Sequence, residues 1–245
     1  MGTGTSAGTG GDYNTGLGTW AGYSETGNSN TYIGHKAGFF GTTADDCIAI
    51  GFGALKAADS AGDNSDNATG NYNIAVGNYS LDAATSAQYM VAIGHNALTS
   101  ATTAGYTTAI GGSALNALTD GSGNTAVGYS ALSTNLTTGD YNTAVGHAAG
   151  QDIYGDQNTI MGRYAGLYAS DVDHCVAIGS SALQGAAPFT DATCDTGSNT
   201  TVACDSSSTI AVGQYVTGSG IPTGTYVSAV NSAGSVTSFT ISAAA

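Results

Sequence analysis

Tyr141-Asn142-Thr143-Ala144-Val145-Gly146-His147-Ala148-Ala149-Gly150 is one copy of a unit that recurs at least ten times along the 245 residues. Sister copies include Asn124-Thr125-Ala126-Val127-Gly128-Tyr129-Ser130-Ala131-Leu132 and Thr107-Thr108-Ala109-Ile110-Gly111-Gly112-Ser113-Ala114-Leu115. The central glycines are Gly18, Gly34, Gly51, Gly77, Gly94, Gly111, Gly128, Gly146, Gly162 and Gly179, at spacings of 16, 17, 26, 17, 17, 17, 18, 16 and 17. The one long interval contains Asp59 to Gly70, an Asp/Asn/Ser/Gly run that reads as an insertion in a surface loop. A fixed short period of this kind is the mark of a repeat architecture.

Columns are counted from the central glycine. Column −3 is β-branched in every copy, from Thr15 and Thr31 to Val176; column −1 is apolar in every copy, from Leu17 and Ile33 to Ile178. Two residues apart on a strand, they share one face, and β-branched residues suit a packed pleated surface. This face is expected inside the coil. Column −2, between them, is mostly alanine: Ala49, Ala75, Ala92, Ala109, Ala126, Ala144 and Ala177. A uniform run of small residues implies that another backbone lies close, and a second chain is expected there. After the glycine, column +3 is alanine or serine and column +4 is Leu or Gly, which reads as a second short strand running back. The glycine takes the corner between the two. A unit of about 17 residues cannot bury its own apolar face, so coils must stack, pairing in parallel at roughly 4.8 Å. The expected fold is all-β: a two-sided parallel β-solenoid, or β-roll, of about ten coils. A small antiparallel β domain follows it.

The pattern Asn-Thr-Ala-Val-Gly-x-x-Ala-Leu resembles the head repeats of YadA-like trimeric autotransporter adhesins, a left-handed parallel β-roll whose repeats also occur in phage tail fibres. The resemblance covers residues 13 to about 187; the adhesin repeats are usually a few residues shorter. It implies a homotrimer with the small-residue faces near the shared axis.

Composition narrows the partners. Lys36, Lys56 and Arg163 are the only basic residues against 17 acidic ones, a net charge of −14. Nucleic acid, whose phosphates need Lys and Arg, is not an expected partner, nor is an anionic membrane surface. Residues 1-12 form a Gly/Thr-rich leader without the basic start and apolar run of a secretory signal. No stretch approaches the ~20 apolar residues of a membrane-spanning helix. A surface adhesin of the resembled type carries a signal and a C-terminal membrane barrel, so the virion branch is the expected one. Trp20, Tyr23, Phe39 and Phe40 cluster near the start; a cap over the first coil is expected, with ligand binding as the alternative. At Pro188 the rhythm stops. Residues 188-245 hold period-2 stretches such as Val236-Thr237-Ser238-Phe239-Thr240-Ile241, separated by Gly/Pro/Asn turns. The run Val212 to Pro222 resembles a β module of phage tail proteins, a spacer, cap or attachment piece.

Chemical motifs are few. His35, His95 and His147 share column +1, three coils apart, too far to hold one metal within a chain. In a trimer, three copies of one His could meet at an axis, but a wet surface column is the expectation. Cys47 and Cys175 share column −4, seven steps or roughly 33 Å apart, beyond disulfide reach. Asn fills that column in six coils, and a ladder of Asn with Cys as a small substitute is expected. Cys194 and Cys204 could pair across a hairpin, but free thiols are the expectation. The pairs Asp45-Asp46, Asp63/Asp66 and Asp171/Asp173 sit in Ser/Gly/Asn turns and read as solvated acids rather than a hydrolytic pair. No catalytic, cofactor-binding or metal-ligating residue is assigned, and no cofactor is expected. The sequence thus suggests a structural, non-enzymatic fibre protein of a virion: a homotrimer joined to other virion or fibre proteins, attaching to a host-surface glycan or protein without membrane insertion. A bacterial surface adhesin or extracellular filament is the alternative, and a polysaccharide-cleaving spike the third reading.

Overall fold

A computed structural model describes residues 11–40, 43–57, 70–134, 138–169, 172–183, 201–203, 227–230 and 238–241. The chain divides into two units, Met1–Leu183 and Gln184–Ala245. The first is the β-solenoid. Its strands are β1 (Thr15–Leu17), β2 (Thr31–Ile33), β3 (Ile48–Ile50), β4 (Ile74–Val76), β5 (Val91–Ile93), β6 (Thr108–Ile110), β7 (Thr125–Val127), β8 (Thr143–Val145), β9 (Thr159–Met161) and β10 (Val176–Ile178). They form one parallel sheet in sequence order. Register follows the columns without a slip: Thr108 pairs with Thr125, Ala109 with Ala126, Ile110 with Val127. In the second unit β11 (Thr201–Ala203), β12 (Val227–Val230) and β13 (Ser238–Ile241) form an antiparallel sheet ordered β11-β13-β12. The insertion of residues 59 to 70 lies outside the described residues apart from Gly70, and so do the leader up to Gly10 and the Pro188 boundary.

The central glycine turns the corner as its column requires. All ten have φ between +125° and +138°, a region open to glycine alone. Space demands the same residue: a Cβ on Gly94 would stand 2.5 Å from the carbonyl oxygen of Gly111 in the next coil. Stacking at this corner is therefore backbone on backbone.

The return run differs from the expected second strand. It is laid coil on coil by hydrogen bonds such as Leu98 N to Ala114 O (3.0 Å) and Leu115 N to Ala131 O (3.0 Å). Its conformation is turn, because columns +2 and +4 are both left-handed: Ser113 has φ 56° and Leu115 φ 50°. Leu in that region costs about 1–2 kcal/mol. Leu55, Leu81, Leu98, Leu115 and Leu132 are essentially wholly buried, and burying a Leu side chain returns about 1.5–3 kcal/mol. Burial therefore offsets the backbone cost where the interior has room for the side chain.

The facing of the sheet is the reverse of the expectation from sequence. Column −2 is the interior: Ala49, Ala75, Ala92, Ala109, Ala126 and Ala144 are 0% exposed. Columns −3 and −1 point outward, giving burial patterns of intermediate or exposed around a buried centre in nearly every strand. The backbone that lies close against the alanines belongs to the same chain's return run. The roll is too thin for Ile or Val on the strand to oppose Leu on the return. Two coils show the rule by exception. Column −2 holds Tyr32 in coil two and Ile160 in coil nine, and there column +4 is Gly38 and Gly166. A Cβ on Gly38 would collide with the Tyr32 ring, and one on Gly166 would come 3.3 Å from Ile160 Cδ1. Ala faces Leu in coils three to seven and ten, and a large residue faces Gly in coils two and nine. Coils one and eight have small residues on both sides, and neighbours fill the space: Tyr32 beside Gly22, and Leu132 with Ile153 beside Gly150.

Column −4 closes the turn between coils. Asn30, Asn73, Asn124, Asn142 and Asn158 are buried. Asn124 accepts from Asn142 N through Oδ1 (2.8 Å) and donates to Gly139 O through Nδ2 (2.7 Å). Asn142 repeats this with Asn158 N (3.0 Å) and Gly155 O (2.9 Å). Cys47 takes an Asn place, its sulfur 3.4 Å from Asn73 N.

Two outcomes follow. In a chemical-denaturation double-mutant cycle, Ala109→Ile alone costs about 1–3 kcal/mol by overpacking; with Leu115→Gly added, the pair shows a favourable coupling of about 1 kcal/mol or more. Additive losses would contradict the packing described. Asn142→Ala leaves a buried donor and acceptor unsatisfied and lowers stability by about 2–4 kcal/mol, whereas Thr143→Ser at the half-buried, outward-facing neighbour changes it by less than about 0.5 kcal/mol.

Candidate interaction surface

With the even columns −4 and −2 turned inward, the odd columns −5, −3, −1 and +1 lie along the outer side of the sheet. Two are aliphatic. Ile48, Ile50, Ile93 and Ile110 stand more than a third exposed, and Val176 and Ile178 reach 68% and 66%. The other two columns edge this stripe with rings. On one margin Tyr72, Tyr89 and Tyr106 stack at 4.9 and 5.0 Å with nearly parallel planes. Their backbones are all left-handed, φ 53° to 61°, which holds the rings one above another at the coil spacing. The ladder is interrupted at Gly123, over which the Tyr141 ring leans.

On the other margin lie the histidines. His35 stacks on Phe52 at 5.0 Å and lies 5.4 Å from Trp20. His95 meets Tyr79 edge-on at 6.4 Å. His147 lies between Tyr129 (5.4 Å) and Tyr164 (5.3 Å). The three histidines stay on separate coils, as their spacing requires. Nδ1 of His35 is buried without a hydrogen-bond partner, so ring stacking rather than hydrogen bonding positions this side chain. Among the described residues no group of three or more His, Cys, Asp or Glu side chains is arranged to hold a metal ion.

Comparison with protein-family models, curated proteins and solved structures gives no match. What this surface does must therefore be argued from its own geometry.

The acids of the turns act as backbone acceptors. Asp45 accepts Asn28 N at 2.6 Å, and Asp173 accepts Asp156 N at 2.7 Å. Asp140 and Asp156 do the same for Ser122 N and Asp140 N, so column −6 is a ladder of turn acceptors along the coil edge. Asp46 is exposed with φ 56°. Asp63, Asp66 and Asp171 lie outside the described residues, as do Cys194 and Cys204. Cys47 and Cys175 are free thiols; burial pushes the Cys47 thiol up to about 11, which leaves it protonated and unreactive at neutral pH.

One buried pair escaped the column reading. Glu25 is buried; its carboxylate accepts from Tyr32 Oη and from Gly27 N. Desolvation raises the Glu25 pKa above its ordinary value against these hydrogen bonds, and Tyr32 is raised as well, first by its own burial and then by the adjacent carboxylate. Shifted carboxyls mark candidate active sites, but this one is sealed in the coil interior and serves the ring that replaces alanine in column −2. A carboxyl whose folded pKa is raised favours the native state most below its unfolded pKa and loses that contribution as pH rises through the folded value. Glu25→Gln has no proton to lose there. Its melting temperature is expected to exceed that of the parent by a few degrees at about pH 8 and to converge with it in mild acid, where the parent carboxyl is protonated.

Proposed function

We propose that the chain is a structural fibre protein in which the outer side of the sheet is the contact between identical subunits, three to an assembly. The observation that carries this is the outward-facing Val/Ile/Thr stripe edged by ring ladders. Seven residues across at roughly 3.3 Å and ten coils at roughly 4.8 Å make a face about 20 Å by about 43 Å, roughly 850 Å². A monomer rarely leaves a contiguous apolar patch beyond a few hundred Å² uncovered. A standard interface takes about 800 Å² from each partner, with aliphatic centre and aromatic enrichment as here. A partner must also match ten rungs at the coil spacing, and another copy of the chain does so by construction.

The number three, and the role as a virion tail fibre or appendage for host attachment, rest on the resemblance of the repeat to trimeric adhesin heads and phage fibres. The placement of the subunit contact differs from what that resemblance first suggested: the alanine face is occupied by the chain's own return run, so the Thr/Val/Ile face meets the neighbours. A net charge of −14 keeps such a rod soluble while its apolar face finds its partners. The role is scaffolding and attachment rather than catalysis.

Native mass spectrometry is expected to give three times the 23.9 kDa chain. Ile93→Asp with Ile110→Asp puts two buried charges per subunit into the contact and is expected to yield lighter species or aggregates, while Ser113→Asp, on the return run, leaves the assembly whole. A parent protein that stays monomeric at micromolar concentration would refute the assembly.

A further inference from the structure

The rings at the first two coils do not form the expected lid over the roll's end. Their contacts run from coil to coil, past the corner glycine and along the return run. Tyr23 of coil one stacks on Phe39 of coil two at 5.2 Å and 14°, and Phe39 stands edge-on to Phe40 at 4.5 Å. Phe40 is buried against Ala57 and anchors the group. Trp20 tilts against Phe39 at 6.0 Å. The Lys36 ammonium sits over both rings, 5.1 Å from Trp20 and 5.2 Å from Phe39. Backbone hydrogen bonds hold the two coils in register here, Lys36 N to Thr19 O (3.0 Å) and Ser24 N to Phe39 O (3.3 Å). Trp20 and Tyr23 remain 49% and 48% exposed.

The repeat itself does not require these rings. In columns +2 and +5 coils five to seven place Asn96, Ser113 and Ser130, and Thr99, Asn116 and Ser133, and they stack as well. The aromatic group is thus a local addition to a structure that is complete without it. Size limits its partner. Two half-exposed rings offer roughly 250 Å², well short of the ~800 Å² a protein partner needs, and close to the face of one or two sugar rings. The chemistry agrees: a rigid, half-wet aromatic platform takes the C–H face of a pyranose by dispersion. Beside it a cation held against the rings supplies hydrogen-bond donors. Two of the three basic residues of the sequence, Lys36 and Lys56, lie on adjoining coils here.

We propose that Trp20, Tyr23 and Lys36 form a glycan-binding site: a hexopyranose ring stacks on the two aromatic faces, and Lys36 donates to a hydroxyl or carboxylate of the same sugar. This rests on the attachment role proposed above and names its ligand class. The site lies on the return run, with Trp20 adjoining His35 at the margin of the sheet face assigned to subunit contact.

The test is a printed array of neutral and uronic-acid-containing surface glycans probed with the labelled full-length chain. The best ligand is then titrated while following the emission of Trp20, the only tryptophan in the sequence. A subset of glycans is expected to bind and to shift that emission saturably. Tyr23→Ala should abolish binding, Lys36→Gln should weaken it at least tenfold, and Tyr23→Phe should retain it, all with the parent's melting temperature. Hits among neutral glycans assign Lys36 to a hydroxyl, and hits confined to uronic acids assign it to a carboxylate. An array without hits overturns the site, as does binding that survives Tyr23→Ala and Lys36→Gln. So does a Tyr23→Ala effect confined to stability, which would make the rings packing alone. Glycan binding by a monomer would keep this site and remove the fibre reading; a trimer blind to glycans would do the reverse.

Discussion

In most coils the interior is one alanine deep on the strand side and one leucine deep on the return side. Everything else in the roll follows from that thinness. The column −2 alanines lie fully buried against Leu55, Leu81, Leu98, Leu115 and Leu132. The price of admitting Tyr32 or Ile160 is a glycine opposite, at Gly38 or Gly166. A core this thin cannot carry a domain as a layered sandwich does. It is lengthened by repetition, each coil closing the one beneath. The corner glycines let the backbones approach until the carbonyl of one coil would touch a Cβ on the next.

Thinness also decides where the large residues go. Val, Ile and Thr of columns −3 and −1 have no room inside, so they stand outside in two parallel rows. The left-handed backbone at column −5 aligns Tyr72, Tyr89 and Tyr106 beside them. In a single chain this is an uncovered apolar strip with aromatic margins, and covering it is the physical argument for assembly. The polar interior is confined to the Asn ladder, where each amide satisfies a backbone donor and acceptor of neighbouring coils. An unpaired group there would cost far more than one at the wet edge.

The histidines and acids that invite catalytic or metal readings are accounted for by stacking. His35, His95 and His147 pack against rings of adjacent coils, and Asp45, Asp140, Asp156 and Asp173 accept backbone N–H groups of the preceding coil. The aromatic group at Trp20 and Tyr23 is different in kind, because coils with Ser and Thr in the same columns stack equally well.

The repeat, its period, the parallel register, the corner glycines and the Asn ladder were all legible in the sequence. Each is a one-dimensional regularity: the same residue type recurs at the same offset and has one local job. Which side of the strand faces inward was not legible from the strand alone, since alternation is symmetric and a slip of one residue exchanges the faces. β-branched residues suit a packed surface on either side, so the apparent preference pointed the wrong way. The deciding signal did lie in the sequence, as an exchange of volume between distant columns: Ala with Leu, Tyr32 with Gly38, Ile160 with Gly166. It carries meaning only once those columns are known to face each other across the coil. Glu25 as the partner of Tyr32 was hidden for the same reason. The sequence by itself determined a stacked parallel coil, because periodicity is a property of the chain. Only the tertiary structure decided which face is core and which is left exposed, because that depends on the distance between two runs that the chain brings together by folding back.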